Sequence, residues 1–219
     1  MALIALFFIV FLIASISILF VETKKKGMIA LCAVILNAIL SSYVAISALS
    51  GVQFDLLMSG TSSFGAIPVK VDALSAWFIL TINFTLITGV LYGFQYLKQY
   101  NSTHQTFSLH FIAYLLVQVA LISICSVQNA MAFLLFWELM ALSAFLLVIF
   151  EYHKKETIKA GINYLIQSHI SIVFLMLAFI FVAYKTGSYE FKDITEFSIH
   201  QPILAGTVLF MCFFILNRW

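Results

Sequence analysis

Apolar residues run along this chain in long unbroken stretches, divided by short polar breaks. The stretches cover roughly 2–21, 28–50, 72–97, 107–127, 129–150 and 162–184, and a seventh runs over 202–219. A helix needs about 20 apolar residues to cross the hydrocarbon core of a bilayer. Barrel strands would instead alternate polar and apolar residues over about 10 positions. The pattern therefore predicts an all-α polytopic membrane protein, a single transmembrane domain over 1–219 with about seven transmembrane helices. Most links are short, so neighbouring helices should pack antiparallel. Two links are longer. The one from Gly51 to Val71 holds Gly, Ser and Pro68, with partial alternation at Val52, Phe54 and Leu56, and is compatible with a small hairpin. The other, from Lys185 to Gln201, is polar, acidic and partly aromatic, and reads as an interfacial segment.

Composition agrees: 63% of the residues are hydrophobic and 9% charged, with a mean hydropathy of +1.10. No water-soluble packing hides that much apolar surface. The net charge of +2 names no partner, but the placement of the charges is informative. Lys24, Lys25, Lys26, Lys98, Lys154, Lys155, Lys159 and Arg218 fall in alternate links, against Lys70, Lys185 and Lys192 in the others. The positive-inside rule then places the N-terminus outside and the Lys24–Lys26 link in the cytoplasm. The N-terminus lacks the basic start and cleavage site of a signal peptide and reads as the first span. Cys32, Cys125 and Cys212 have no metal-ligand spacing and read as small apolar fillers.

The chemistry must lie among polar residues inside the spans, where each charge is costly. Glu138, in Phe136-Trp137-Glu138-Leu139-Met140, falls near the middle of the fifth span. By helical rise it sits about 13 Å from the nearer end, too deep for a short carboxylate to reach an interface. It must face protein, water or a cation. Such a group can load and release a proton; the alternative is a protonated carboxyl bonded between helices. His169, in Gln167-Ser168-His169, lies about two turns inside the sixth span and suits a proton path because imidazole both donates and accepts. Its alternative is a neutral ring bonding a neighbouring helix. Gln167, Ser168 and Ser171 around it could hold water. Asn37, Ser41, Ser42, Thr81, Asn83, Thr85, Thr88 and Gln118 read as interhelical glue. Gly89 and Gly93 form a small-xxx-small pair, and Asp72 reads as the N-cap of the third span. Glu151, His153, Lys154, Lys155 and Glu156 read as a solvated loop. There is no phosphate loop, CxxC, HExxH or nucleophile elbow, and hence no catalytic residue, metal site or nucleic-acid surface to name.

Three segments together resemble a known family: Val71-Asp72-Ala73-Leu74-Ser75-Ala76-Trp77-Phe78, Leu135 to Ser143, and Ala160-Gly161-Ile162-Asn163-Tyr164-Leu165-Ile166 leading to His169. They are similar to the antiporter-like subunits of complex I, of multisubunit Na+/H+ antiporters and of membrane-bound hydrogenases, leaning toward the formate-hydrogenlyase and hydrogenase-4 branch. The resemblance implies a fold of about fourteen helices, of which this chain is the first half. It implies proton or cation movement coupled to electron transfer elsewhere in a hydrogenase or complex I-like assembly. It implies other membrane subunits as partners, H+ or Na+ as the transported ion, a plasma membrane location, and no cofactor bound by the chain itself. Glu138 falls on the family's fifth-helix glutamate, and His169 on a histidine of the hydrogenase-like branch. The partner lysine and the second helix repeat are missing, which, with the bare end at Asn217-Arg218-Trp219, predicts truncation. Two other readings stay open: a stand-alone secondary transporter, and an inert structural fragment.

Overall fold

The structure is a computed structural model, and it describes residues 2–52, 54–58, 65–97 and 104–207. Helices α1 (Ala2–Phe20) and α2 (Thr23–Leu49) lead into a hairpin of β1 (Phe54–Met58) and β2 (Ile67–Val71). Then come α3 (Ala73–Tyr96), α4 (His104–Ser126), α5 (Ala130–Val148), a 3₁₀ turn (Ile149–Glu151), α6 (Lys155–Thr186) and the short α7 (Phe191–His200). Six of these, α1 to α6, are long and apolar enough to cross a membrane. Large apolar side chains such as Ile13, Ile39, Phe84, Leu135 and Ile166 are exposed on their outer surfaces, as lipid contact requires. Residues 202–207 are helical; the rest of the expected seventh span, with Cys212 and Arg218, lies outside the described residues, as does Lys98.

Helix α2 packs against α1, α3 and α4. Its buried residues Ala30, Ala33, Val34, Asn37, Ala38, Ser41 and Ala45 recur at helical spacing on one face. They are small, so backbones approach closely, which is how helices associate where lipid removes the hydrophobic drive. The first cluster of the core joins Ala14 and Ile18 of α1, Ala30, Ala33 and Val34 of α2, Leu86 and Val90 of α3, and Phe107, Phe111 and Leu115 of α4.

Two features depart from the expected link pattern. Helix α2 starts at Thr23, so Lys24, Lys25 and Lys26 lie in its first turn and not in a link. Lys26 is fully buried and its Nζ donates to Ser108 Oγ of α4; that hydroxyl donates to the Ile18 carbonyl of α1 at 3.4 Å. A cation at a helix N-terminus opposes the helix dipole, and here it is held by joining three helices. Helix α6 likewise starts at Lys155 and has 32 residues, about 48 Å of helix. That exceeds the roughly 30 Å hydrocarbon core. It stops at Gly187, whose φ of 75° suits glycine and whose N–H reaches the Ala183 carbonyl at 2.7 Å.

The expected hairpin forms, with Leu56 opposite Val69 in an antiparallel register. It is sewn to the α4–α5 link by Gln128 N, which donates to the Pro68 carbonyl at 2.8 Å. That link is sewn to the segment entering α7 by Ala130 N donating to the Tyr189 carbonyl at 2.8 Å and Phe191 N to the Gln128 carbonyl at 3.0 Å. One end of the bundle is thus closed by β1, β2, the α4–α5 link and the segment entering α7. The expected interfacial segment is largely α7, a short helix that buries Phe197 and leaves Ile199 exposed.

Candidate functional site

Asn129 starts the helix that carries Glu138. Its Oδ1 accepts from the Met131 and Ala132 amides at 3.0 and 3.2 Å, and its Nδ2 donates to the Ala66 carbonyl at 3.3 Å. One amide side chain therefore caps α5 and ties it to the start of β2. From this cap Glu138 is two and a half turns in, at the middle of the 19-residue helix. His169 sits at the middle of α6, about four turns from its Lys155 end and not two, because α6 begins seven residues before the expected span.

The two predicted residues meet. His169 Nε2 lies 2.8 Å from Glu138 Oε1. The other ring nitrogen, Nδ1, lies 2.9 Å from the Leu165 carbonyl one turn back on α6. A carbonyl oxygen only accepts, so Nδ1 must carry a hydrogen and donate. This leaves Nε2 and the carboxylate with one proton between them. With it on Nε2 the pair is imidazolium and carboxylate; with it on Oε1 the pair is neutral imidazole and carboxylic acid. Both forms make the same short hydrogen bond, so the proton can change hands without moving either helix. The resemblance led to a lysine as the partner of Glu138; among the described residues the partner is His169.

The surroundings are asymmetric. Toward the hairpin end, Phe133 of α5 packs edge to face on Phe179 of α6 and Phe191 of α7 at 6.2 and 5.8 Å, those two rings meet tilted at 5.9 Å, and Trp137 joins Phe133 at 5.6 Å. This aromatic layer separates the pair from that surface. Toward the other end, α6 comes close to α5 at Gly161, where any Cβ would run into Ile149 and Phe145. Sideways the pair is open: the side chains of His169 and Glu138 are 46% and 30% exposed. Ser171 does not add to a polar pocket, since its hydroxyl donates to the Gln167 carbonyl of its own helix at 2.9 Å.

Other predicted positions are resolved in detail. Asp72 caps α3, with Oδ1 accepting from Ser75 N at 2.7 Å, and that bond holds its carboxyl below the usual range. Asn83 and Gln118 reach across to α2 as expected, but Thr81, Thr85 and Thr88 face outward and bond the carbonyls of their own helix. Gly89 makes room for Tyr114, whose hydroxyl donates to the Leu86 carbonyl at 2.7 Å, whereas no neighbour among the described residues comes within 4 Å of a Cβ at Gly93. Cys32 and Cys125 are free thiols. Lys154 pairs with Glu151 at 2.8 Å, which raises the pKa of its ammonium. Sequence reasoning missed Asn129, although an Asn directly before an apolar run is a helix-start signal. It also missed the burial of Lys26, for which the sequence carries no signal.

Comparisons with known proteins bear on the fold. Residues 127–217 match the family described as NADH:quinone oxidoreductase/Mrp antiporter, TM. Hydrogenase-4 component B of Escherichia coli is 28% identical over 151 residues, 69% of this chain and 22% of that protein. NADH-ubiquinone oxidoreductase chain 4 of Marchantia polymorpha is 23% identical over 147 residues, 66% of this chain and 28% of that protein. The chain thus spans under a third of the length of these curated relatives. Among solved structures, a chain of the membrane-bound sulfane sulfur reductase, an archaeal respiratory membrane complex, superposes with a TM-score of 0.73 at 17% identity, covering 86% of this chain and 37% of that one. The chain is thus an all-α polytopic membrane protein that shares the multi-helix fold of that respiratory-complex chain, and its residues 127–217 are similar to the NADH:quinone oxidoreductase/Mrp antiporter family.

Proposed function

We propose that this chain is a proton-translocating, antiporter-like subunit of a respiratory membrane assembly of the hydrogenase or complex I type, and that Glu138 and His169 are its proton-handling pair. The observation that carries the reading is the 2.8 Å contact between the two side chains at the midpoints of α5 and α6. A carboxylate and an imidazole are costly inside lipid and are kept there for ion movement more often than for packing. With Nδ1 committed to the Leu165 carbonyl, the pair holds one transferable proton. A positive charge arriving at its open side draws the Glu138 carboxylate toward itself and sends the proton to Nε2 or beyond. A negative charge does the reverse. In this way a charge change in a neighbouring part of the assembly is converted into proton uptake or release.

The half-exposed side of the pair supports a partner. At mid-bilayer it cannot rest against acyl chains without the cost of an intramembrane charge, so polar protein or water meets it. Similarity to hydrogenase-4 component B favours a hydrogenase-type assembly in a plasma membrane, with the Lys24–Lys26 end of the bundle in the cytoplasm. The chain would act without a redox cofactor of its own, as the ion-moving part of an oxidoreductase.

Glu138→Gln in the intact assembly tests the reading, with proton pumping followed in sealed vesicles and subunit content followed by electrophoresis. Glutamine keeps the size and one hydrogen bond but holds no exchangeable charge. Assembly should be unchanged and pumping lost, by a factor on the order of 100. Normal pumping removes Glu138 from the mechanism, and loss of assembly along with pumping favours a scaffold role for the pair.

A further inference from the structure

A second polar group is buried deeper than the first, between α2, α3 and α4. Asn37 and Gln118 are completely buried and Asn83 nearly so. Gln118 Nε2 donates to the Val34 carbonyl at 3.1 Å. Asn83 Nδ2 is shared among the Ala38 carbonyl at 3.3 Å, Ser41 Oγ at 2.8 Å and Ser42 Oγ at 2.9 Å. Val34, Ala38 and Ser41 stand three residues before, one after and four after Asn37. The amide ends of Gln118 and Asn83 therefore flank Asn37 on the buried face of α2. Gln118 Oε1, Asn83 Oδ1 and both polar atoms of Asn37 have no hydrogen-bond partner among the described residues.

The inventory of atoms says what is needed. Three amide oxygens seek donors and only one amide NH2, that of Asn37, is uncommitted. Turning Gln118 or Asn83 over would set their oxygens against the Val34 or Ala38 carbonyl, acceptor against acceptor, so their orientations are fixed. The ligand must donate to at least two oxygens and also accept from Asn37. Water does both. A metal cation would satisfy the oxygens but leave the Asn37 NH2 without an acceptor, and no carboxylate belongs to the group to balance its charge.

Ser41, which accepts from Asn83, also lines a mainly apolar cavity of about 180 Å³ under the hairpin, together with Ser123, Ser126, Val69, Ile79 and Phe136. That is room for several waters. On the opposite side Ala30, Ala33 and Val34 pack against Ile18 and Leu115 and block the way to Lys26.

We propose that Asn37, Asn83 and Gln118 form an internal water-binding site at the centre of α2–α4, filled from the hairpin end past Ser41 and separate from the Glu138–His169 pair. A structure of the full chain in lipid nanodiscs, at a resolution that shows water, should place density within about 3 Å of Asn37 and of Asn83 Oδ1 or Gln118 Oε1. An empty site overturns the proposal. Thermal unfolding of Asn37→Leu, a near-isosteric change, gives a second reading. If water bridges the three amides, the variant melts at a lower temperature than the parent. If the site is dry, removing an unpaired amide raises the melting temperature, and the proposal fails. Exchange of Na+ for N-methylglucamine at constant ionic strength should leave the parent's melting temperature unchanged. A rise specific to Na+ would assign the site to a cation instead of water.

Discussion

Helices α1–α4 and the pair α5–α6 deal with polar groups inside lipid in opposite ways. In the first region the polar side chains at mid-helix are neutral amides and hydroxyls, turned inward, the buried Lys26 lies at the helix end, and small residues on α2 let the neighbours close over them. In the second, a titratable pair, Glu138 and His169, stands at mid-helix, and the helix that carries His169 buries only Gly161, Val182 and Ala183. A neutral amide sealed inside a bundle adds specificity to packing and does little else. An acid and a base left half open can respond to what comes near. On the proposed reading the first region supplies stability and the second ion handling, and substitutions should separate the two.

The largest expected effect is on transport. His169→Gln should reduce pumping about as much as Glu138→Gln, and the double variant should be no worse than either single one. Both side chains serve one proton, and groups that act as a unit do not add. Additive losses in vesicle assays would mean that the two residues work on separate paths, which would break the assignment of one function to the α5–α6 region. The thermal stability of these variants should change little, because each pair member is partly exposed.

Asn129→Ala should come next, and it acts on the joint between the regions. It removes the cap of α5 and its tie to Ala66, and should cost about 1–2 kcal/mol of stability in detergent unfolding. A loss of pumping larger than the loss of folded protein would show that the cap also sets the register of Glu138 against His169.

Gly89→Ala and Gly93→Ala sharpen the first half of the comparison. The two glycines read alike in the sequence. A Cβ at Gly89 would displace the Tyr114 hydroxyl from the Leu86 carbonyl, whereas one at Gly93 meets no neighbour within 4 Å among the described residues. The first change should cost about 1–3 kcal/mol. The second should be neutral or stabilising by up to about 1 kcal/mol, since alanine is the better helix former. Equal effects in chemical unfolding would show that the α3–α4 contact does not hold the bundle.

Much of this architecture is legible in the amino-acid sequence. Runs of about 20 apolar residues leave the backbone no option but helix, so the all-α fold follows from hydropathy alone. Glu138 and His169 stand out because titratable residues at that depth are rare. Their meeting is not legible, since facing positions on two helices depend on rotation and register. The starts of α2 and α6 are misplaced by hydropathy for a related reason. Lysines end the apolar windows, yet Lys26 is covered by α1 and α4, and Lys155 and Lys159 continue a helix longer than the bilayer is thick. The glue residues divide by face: Asn83 and Gln118 point at α2, while the three threonines point away and satisfy themselves.

The smallest effect belongs to Asp72, outside the membrane-spanning part of α3, and its sign can be worked out. The Ser75 amide holds the folded carboxyl below its ordinary value of 3.8. A carboxylate with a lowered folded pKa adds stability that is fully present above the unfolded value. That stability is lost as pH falls from about 4 through the folded value. Asp72→Ala should therefore cost about 1 kcal/mol near neutral pH, and less as the medium is acidified below about 4. Asp72→Asn keeps an acceptor for Ser75 N but has no charge to titrate. It should retain most of the stability and flatten the acid limb of the unfolding curve. The effect is confined to the first region, so proton pumping at neutral pH should match the parent in both variants. A pumping defect in Asp72→Asn with normal melting would mean that the N-terminal helices take part in ion movement, and the division between the two regions would fall.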